Sequence, residues 1–95
     1  MKTYEIDFLE DAQKEWRKLD KGVRLQFSKK LAERVQNPHI PSARLSGMPN
    51  CYKIKLRSVG YRLVYQVEDD VLIIVVIAVG RRERNEVYKR AAGRV

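Results

Sequence analysis

The apolar run Val71–Val79 constrains the fold of this chain more than any other segment. Its nine residues are far too few to span a bilayer, which takes about 20, and they are rich in valine and isoleucine, which favour strands. Because a strand that is apolar along most of its length has to be covered on both faces, the run predicts a central strand of a sheet. Gly80 is expected to end that strand.

Two segments before this run predict further strands. Cys51–Arg57 alternates between apolar and basic residues from Tyr52 onward, and Tyr61–Val67 follows it after a short turn. The period of two places the basic side chains of the first strand on one face, and these are Lys53, Lys55 and Arg57. Because Val71–Val79 is expected to pair with Tyr61–Val67, the three strands should form an antiparallel sheet.

The first half of the chain predicts one strand followed by a helical hairpin. Tyr4–Phe8 alternates apolar and acidic residues, whereas apolar residues recur at helical spacing from Leu9 to Leu19 and from Val23 to Val35. Asp20 is a suitable N-cap for the second helix, and Asn37-Pro38 stops it. The basic residues on the outer side of that helix are interpreted as a solvated face: Lys21, Arg24, Lys29, Lys30 and Arg34.

A short, polar helix is predicted at the C-terminus, from Arg84 to Arg94. Its thin apolar face predicts a loosely held helix or one that depends on a partner, and the residues of that face are Val87, Ala91 and Ala92. The element order is β-α-α-β-β-β-(α), an α+β fold in which the hairpin packs on one face of a mainly antiparallel four-stranded sheet. No linker, repeat or low-complexity tract interrupts the chain, so we predict one domain over residues 1–95.

Few residues offer metal or cofactor chemistry. The single histidine, His39, is interpreted as a surface loop residue and the single cysteine, Cys51, as a small buried thiol, and no carboxylates cluster. We therefore expect no metal ion and no cofactor. Because the cysteine lacks an internal disulfide partner and the N-terminus has no apolar signal-peptide core, we expect a cytoplasmic protein without membrane contact.

Basic residues are the chemically distinctive ones. The net charge is +8, from 20 Lys and Arg against 12 Asp and Glu, and between Ala43 and Val67 there are five basic residues and no acidic one. A second basic cluster, Arg81–Tyr88, ends in an aromatic ring. An ordered basic surface beside a ring is typical of a protein that binds a polyanion, although a solvated surface is the alternative.

These cations suit a phosphodiester. Lys53 and Lys55 lie about 7 Å apart on one face of their strand, with Arg62 expected beside them and Arg81–Arg82 at one end of the same sheet. A guanidinium group can bind two phosphate oxygens at once and can stabilise a pentacoordinate transition state. Tyr88 is a candidate for stacking on a base. RNA carries its own nucleophile, the 2′-OH, and a lysine among cations has a lowered pKa, so Lys53 or Lys55 is a candidate general base. The residues alone leave open a solvated face, nucleic-acid binding and catalysis.

At these positions the chain resembles the RelE-type toxins of bacterial toxin–antitoxin systems, in the RelE/ParE superfamily. The resemblance runs nearly end to end, and its blocks Tyr52–Arg57 and Gly60–Gln66 are specific to the RelE branch. The stretches that carry it are Lys14–Leu19, Leu45–Arg57, Gly60–Val67 and Val79–Tyr88. The fold that it implies is RelE-like, similar to that of microbial RNases, and agrees with the element order predicted above.

The resemblance implies a ribosome-dependent endoribonuclease. Such a toxin enters the A site of the 70S ribosome and cleaves mRNA between the second and third codon bases by attack of the 2′-OH, which leaves a cyclic phosphate and inhibits translation. By position, Lys55 resembles the general base and Arg82 the general acid. Lys53 and Arg62 resemble the residues that stabilise the phosphate and the transition state, and Tyr88 resembles the residue that stacks on the mRNA base.

Further partners and contacts follow from the same resemblance. Ser46 stands where the family often has a basic residue, so the RNA contact made from that position is in question. A RelB-type antitoxin is implied, which wraps the toxin with an otherwise disordered tail, covers or distorts the basic site and shifts the C-terminal helix. The complex represses its own operon through the antitoxin's DNA-binding domain, so operator DNA is an indirect partner. Basic residues expected to contact mRNA or ribosomal RNA are Arg44, Arg57, Arg81 and Arg84.

Two alternatives to an mRNA interferase stay open. A ParE-like toxin shares the fold and inhibits DNA gyrase without catalysis, and a plain nucleic-acid-binding module needs only the basic surface. The retained residues argue against the gyrase inhibitor, because a gyrase binder does not need the complete set. That set is Lys53, Lys55, Arg62, Arg82 and Tyr88.

Overall fold

The sheet contains four strands, and the apolar run lies inside it and not at an edge. The structure is a computed structural model that describes residues 3–95. The strands are β1 (Glu5–Phe8), β2 (Cys51–Leu56), β3 (Tyr61–Glu68) and β4 (Ile73–Arg81). Their order across the sheet is β1-β4-β3-β2, with β1 parallel to β4 and the other pairs antiparallel. The predicted α+β fold with a mainly antiparallel four-stranded sheet is confirmed.

β4 starts later than the apolar run and extends beyond it. Val71 and Leu72 lie in the turn before the strand, and the strand continues through Gly80, which was expected to end it. That prediction is wrong, because Gly80 pairs with Arg62 of β3 and has another role. A Cβ at Gly80 would lie 2.5 Å from Nη2 of Arg90, so a larger residue at this position would displace the end of that side chain.

The helical hairpin covers one face of the sheet, as predicted. Its helices are α1 (Glu10–Arg17) and α2 (Lys21–Arg34), which pack their apolar sides against the strands. Asp20 stands at the N-cap of α2, but its side chain accepts no capping hydrogen bond. One turn of 3-10 helix, Pro41–Ala43, follows in the loop that leads to β2. The core on this side includes Ala12, Val23, Phe27, Leu31, Tyr65 and Val76.

The C-terminal helix α3 (Glu86–Arg94) covers the opposite face. Val87 and Ala91 are buried in a second cluster together with Val64 of β3. Ala92, which was expected to belong to the apolar face, is exposed. With helices on both faces, β4 is buried on both sides, as the apolar run requires. No helix within residues 3–95 is long and apolar enough to cross a membrane.

Polar bonds close the open edge of β4. β1 ends opposite Val76, so the backbone of β4 beyond that point has no strand beside it. The N–H of Val79 donates to Oε1 of Glu15 in α1 at 3.2 Å, and Nη1 of Arg94 in α3 donates to the carbonyl of Ile77 at 2.9 Å. Side chains from two helices thus satisfy backbone groups that would otherwise lack protein partners.

The same side chains also bind one another and hold α3 in place. Arg94 donates to both carboxylate oxygens of Glu15 at 3.0 Å each, and Nε of Arg90 lies 3.5 Å from that carboxylate. Burial raises the pKa of Glu15, but the bonds from Arg94 and the Val79 N–H, with the charge of Arg90, outweigh burial and hold the pKa below its ordinary value. The expectation of a loosely held helix considered only apolar residues and did not include these bonds.

Replacing Glu15 with Gln should destabilise the protein by about 2 kcal/mol, since charge-assisted hydrogen bonds are lost. Because folding lowers the pKa of Glu15, its stabilisation is complete above the ordinary glutamate value of about 4.3 and is lost as pH falls through the lower folded value. Urea unfolding from neutral pH to about pH 3 should therefore give free energies of unfolding that converge at the acid end. A difference between Glu15→Gln and the wild type that stays constant with pH would contradict the ion pair.

Candidate functional site

The alternation of β2 places two lysines on the side of the sheet that faces away from the hairpin. Lys53 and Lys55 are half-buried, while the apolar residues between and beside them point into the hairpin core. Lys55 lies directly opposite Arg62 of β3, and Lys53 lies opposite Val64. Directly opposed residues have Cβ atoms about 5 Å apart, so three cations share one surface. The prediction that these residues lie together is confirmed.

The neighbouring cations lower the pKa of the Lys55 amine. The charge of Lys53 has the largest effect, followed by that of Arg62, with smaller contributions from desolvation and from Arg57. Repulsion between like charges disfavours the ammonium form, so more of Lys55 is neutral at a given pH than of an isolated lysine. The neutral amine is the form that can accept a proton from a hydroxyl group.

Tyr88 is brought to these cations by the first turn of α3. Nη1 of Arg62 donates to the Tyr88 hydroxyl at 2.9 Å, and Cζ of Arg62 lies 5.6 Å from the centroid of the ring. The preceding residue, Val87, is one of those that bury α3 against the sheet, so the same docking fixes the core and the ring. The ring stays partly exposed, and a flat base can stack on it.

Arg82 reaches the same surface over the turn between β2 and β3. Its N–H donates to the carbonyl of Gly60 at 2.9 Å, and its Nε lies 3.6 Å from where a Cβ of Gly60 would be. Gly60 has a φ of +70°, which other residues rarely adopt. The turn therefore places the exposed Arg82 at the strand ends that carry Lys55 and Arg62. The four cations on this surface are called the basic patch below: Lys53, Lys55, Arg62 and Arg82.

Arg81 lies on the opposite face of the sheet. Its Cζ is 5.4 Å from the centroid of the Tyr61 ring, which packs against the hairpin core. The expectation that Arg81 and Arg82 emerge at one surface is wrong, because successive residues of a strand point to opposite faces. The cleft around Arg81, about 540 Å³, also mixes charges of both signs, with Glu15, Lys18, Asp20, Glu83, Glu86 and Arg90 among its lining residues.

Three further arginines of the predicted set are exposed. Arg57 is near enough to Lys55 to lower the pKa of that amine. Arg84 lies in the turn before α3 with a φ of +50°, and Arg44 forms an isolated bridge with Tyr52 at the outer edge of β2. A cavity of about 580 Å³ lies beside Arg44 and is also lined by Leu45, Ser46, Gly47, Met48 and Pro49. The roles of the three arginines in RNA binding stay predictions.

Arg34 takes part in a network that the sequence reasoning missed. It was interpreted as one of the solvated cations of α2, which is wrong, because its Nη1 donates to the Tyr65 hydroxyl at 2.8 Å and to the Lys53 carbonyl at 3.3 Å. The helical spacing contained the signal. Arg34 follows the buried Leu31 by three residues, so it lies on the side of α2 that faces the sheet.

His39 bonds to a different set of residues from the basic patch. Its ring nitrogens bond the Tyr52 hydroxyl at 3.0 Å and the Asp69 carboxylate at 2.8 Å, and the Tyr4 hydroxyl donates to that carboxylate at 2.6 Å. The exposed His39 side chain thus links its loop to β2 and to the turn before β4. Cys51 is buried, which raises the pKa of its thiol. Within residues 3–95 no three His, Cys, Asp or Glu side chains are grouped to hold a metal ion.

Comparisons with known proteins identify relatives of this chain. The family described as the ParE toxin of type II toxin–antitoxin system, parDE, matches residues 6–86. The mRNA interferase toxin RelE of Escherichia coli strain K12 is 58% identical over 93 residues, which cover 98% of each chain. A free E. coli RelE mutant superposes with a TM-score of 0.91 at 55% identity, over 98% of both chains. A chain from the crystal structure of the intact E. coli RelBE toxin–antitoxin complex superposes with a TM-score of 0.82 at 58% identity, over 85% of this chain and 99% of that one.

Removing a neighbouring charge should raise the pKa of Lys55. In Lys53→Gln the largest repulsive contribution is lost, so the pKa should move up toward the ordinary value of a lysine. Lys29→Gln, on the exposed side of α2, removes the same charge elsewhere and should leave the pKa of Lys55 unchanged. Titration of isotope-labelled lysine side chains by NMR measures both. If Lys53→Gln does not move the Lys55 titration, the two amines are not neighbours.

Proposed function

This chain belongs to the RelE/ParE family of type II toxins, and we propose that it is an endoribonuclease that cuts mRNA in the A site of the ribosome. Relatives named mRNA interferase RelE, from E. coli K12 and from Shigella flexneri, are 58% identical to it over 98% of its length. The observation that carries the proposal is the basic patch, with Tyr88 at its border. On one face it combines a lysine of lowered pKa with several cationic side chains that can bind phosphate.

The proposed reaction is a transesterification in which the RNA supplies the nucleophile. Lys55, as a neutral amine, takes the proton of the 2′-OH, and the oxygen attacks the adjacent phosphorus. As this bond forms, the bond from phosphorus to the 5′-oxygen breaks, which leaves a 2′,3′-cyclic phosphate and a 5′-hydroxyl. Arg82 donates the proton to the leaving oxygen. Because arginine is a poor acid, this donation requires that the oxygen has already developed negative charge.

The other residues of the site stabilise charge and position the substrate. We propose that Lys53 and Arg62 bind the non-bridging oxygens, where negative charge increases in the transition state. Arg62 is already oriented by the Tyr88 hydroxyl, so little rearrangement is needed. The exposed part of the Tyr88 ring stacks on an mRNA base, which contributes about 1–3 kcal/mol. The surrounding RNA is held by Arg44, Arg57 and Arg84.

There is a physical reason why cleavage should require the ribosome. The basic patch is an open surface, and its proposed acid, Arg82, is weak. Cleavage therefore depends on another molecule to hold the reacting 2′-OH in line with the phosphorus. We infer that the A site does this, since positioning of reactants alone contributes up to about 7–11 kcal/mol. A net charge of +8 favours the approach of the toxin to ribosomal RNA.

We propose that a RelB-type antitoxin binds the toxin and keeps it inactive. The supporting observation is the match to a chain of the intact RelBE toxin–antitoxin complex. An antitoxin that covers the basic patch blocks the cations that bind phosphate. One that shifts α3 moves the Tyr88 ring away from its stacking position. We further propose that the complex represses its own operon through the antitoxin's DNA-binding domain and that the toxin acts in the cytoplasm, where ribosomes and mRNA are present.

The adjacent arginines at the end of β4 provide a matched test. Arg82→Ala should lower the rate of cleavage on programmed ribosomes by about 100-fold or more, the typical contribution of a general acid. Arg81→Ala removes the same charge one position away, on the opposite face, and should have little effect. Primer extension under single-turnover conditions with saturating toxin gives both rates. Equal losses in the two variants would refute the assignment of Arg82, and growth arrest that survives Lys55→Ala would favour a ParE-type gyrase inhibitor.

A further inference from the structure

A second cationic surface lies at the outer edge of β2. It is a groove of about 330 Å³, here called the β2-edge groove, and it is lined by Arg34, Ser42, Ala43, Lys53, Lys55 and Arg57. Four of these six residues are cations and none carries a carboxylate. β2 is an edge strand, so the groove opens to solvent where the sheet ends. A surface with this balance of charge attracts anions.

Arg34 is held in this groove by contacts within the protein. Its Nη1 donates to the Tyr65 hydroxyl and the Lys53 carbonyl, and its Cζ lies 5.6 Å from the centroid of the Tyr65 ring. Tyr65 is itself fully buried and donates to the carbonyl of Pro38 at 2.7 Å. Arg34 forms no salt bridge within residues 3–95, and its Nε and Nη2 groups stay available for an anion. A guanidinium that is already oriented loses little side-chain entropy on binding phosphate.

Two lysines connect the groove to the basic patch. Lys53 and Lys55 line the β2-edge groove and also lie beside Arg62 across the strand pair. They are about 7 Å apart along β2. An RNA strand whose scissile phosphate lies at Lys55 can therefore place a neighbouring phosphate near Arg34. The groove continues the cationic surface around the edge of the sheet.

We propose that the β2-edge groove binds a second phosphate of RNA, with Arg34 as its anchoring residue. The proposal rests on the function proposed above for the adjoining basic patch, but it concerns binding and not chemistry. The phosphate belongs either to the mRNA that is cut or to ribosomal RNA, and both present the same phosphodiester group. An RNA ligand fits better than an acidic protein segment, because the groove is continuous with the site for the scissile phosphate.

Binding of an oligoribonucleotide that carries 2′-O-methyl groups at every position tests the site without cleavage. Fluorescence anisotropy should show that Arg34→Gln binds roughly tenfold more weakly than the wild type. The slope of log K against log salt should fall by about 0.7, the contribution of one phosphate contact in a single strand. Arg24→Gln, on the same helix but outside the groove, is the matched control and should bind as the wild type does.

A second variant separates binding from folding. Ser42→Asp adds a carboxylate to the groove and leaves the partners of Arg34 intact, so it should weaken RNA binding without lowering the midpoint of thermal unfolding. If Arg34→Gln and Ser42→Asp match Arg24→Gln in affinity and salt slope, the proposal is overturned. It is also overturned if both variants weaken only the complex with an antitoxin peptide, since the groove would then be a protein contact.

Toxin binding to 70S ribosomes identifies the source of the phosphate. If Arg34→Gln binds more weakly only where mRNA fills the A site, the phosphate belongs to mRNA. If binding is weakened equally on ribosomes whose mRNA ends in the P site, the phosphate belongs to ribosomal RNA. Both results support the groove. A wild-type protein that binds the oligoribonucleotide through Arg34 but makes no cuts on ribosomes would refute the proposed function and leave the binding site standing.

Discussion

The need to cover β4 on both faces governs the rest of the structure. The hairpin covers one face with a large apolar core, whereas α3 covers the other with only Val87 and Ala91 fully buried. Because that apolar contact is small, the bonds of Glu15 with Arg94 at the open edge of β4 contribute much of what holds α3. The same helix carries the ring of Tyr88 to Arg62, so the stability of one helix and the geometry of the site depend on the same docking.

The basic patch is electrostatically unfavourable for folding, and the proposed function makes use of the same charges. Lys53, Lys55 and Arg62 stand side by side without a salt bridge among the described residues, so their like charges repel one another. Bound phosphate would relieve that repulsion. The repulsion also lowers the pKa of Lys55, so a larger fraction of that amine is neutral at a given pH than for an isolated lysine. A locally unfavourable arrangement of this kind is typical of a functional surface.

The sheet and the placement of its lysines were predictable because side-chain direction in a strand follows from the backbone alone. The run Val71–Val79 and the alternation in β2 therefore sufficed to place Lys55 beside Arg62. The end of β4 was harder, because the strand was expected to end at Gly80. It continues to Arg81, so Arg81 and Arg82 point to opposite faces and Arg81 was misplaced. Contacts between distant segments, such as Arg34 with Tyr65, depend on how elements meet: helical spacing places Arg34 on the sheet side of α2 but does not identify its partner. The catalytic roles came from the family resemblance.

The central proposal is that this toxin cleaves mRNA and needs the ribosome to do so. Primer extension on mRNA incubated with the purified protein, with and without programmed 70S ribosomes, tests it most directly. We predict discrete cuts between the second and third bases of codons in the A site, and none on the same mRNA without ribosomes. Efficient cleavage of naked mRNA, or no cleavage under either condition, would contradict the proposal.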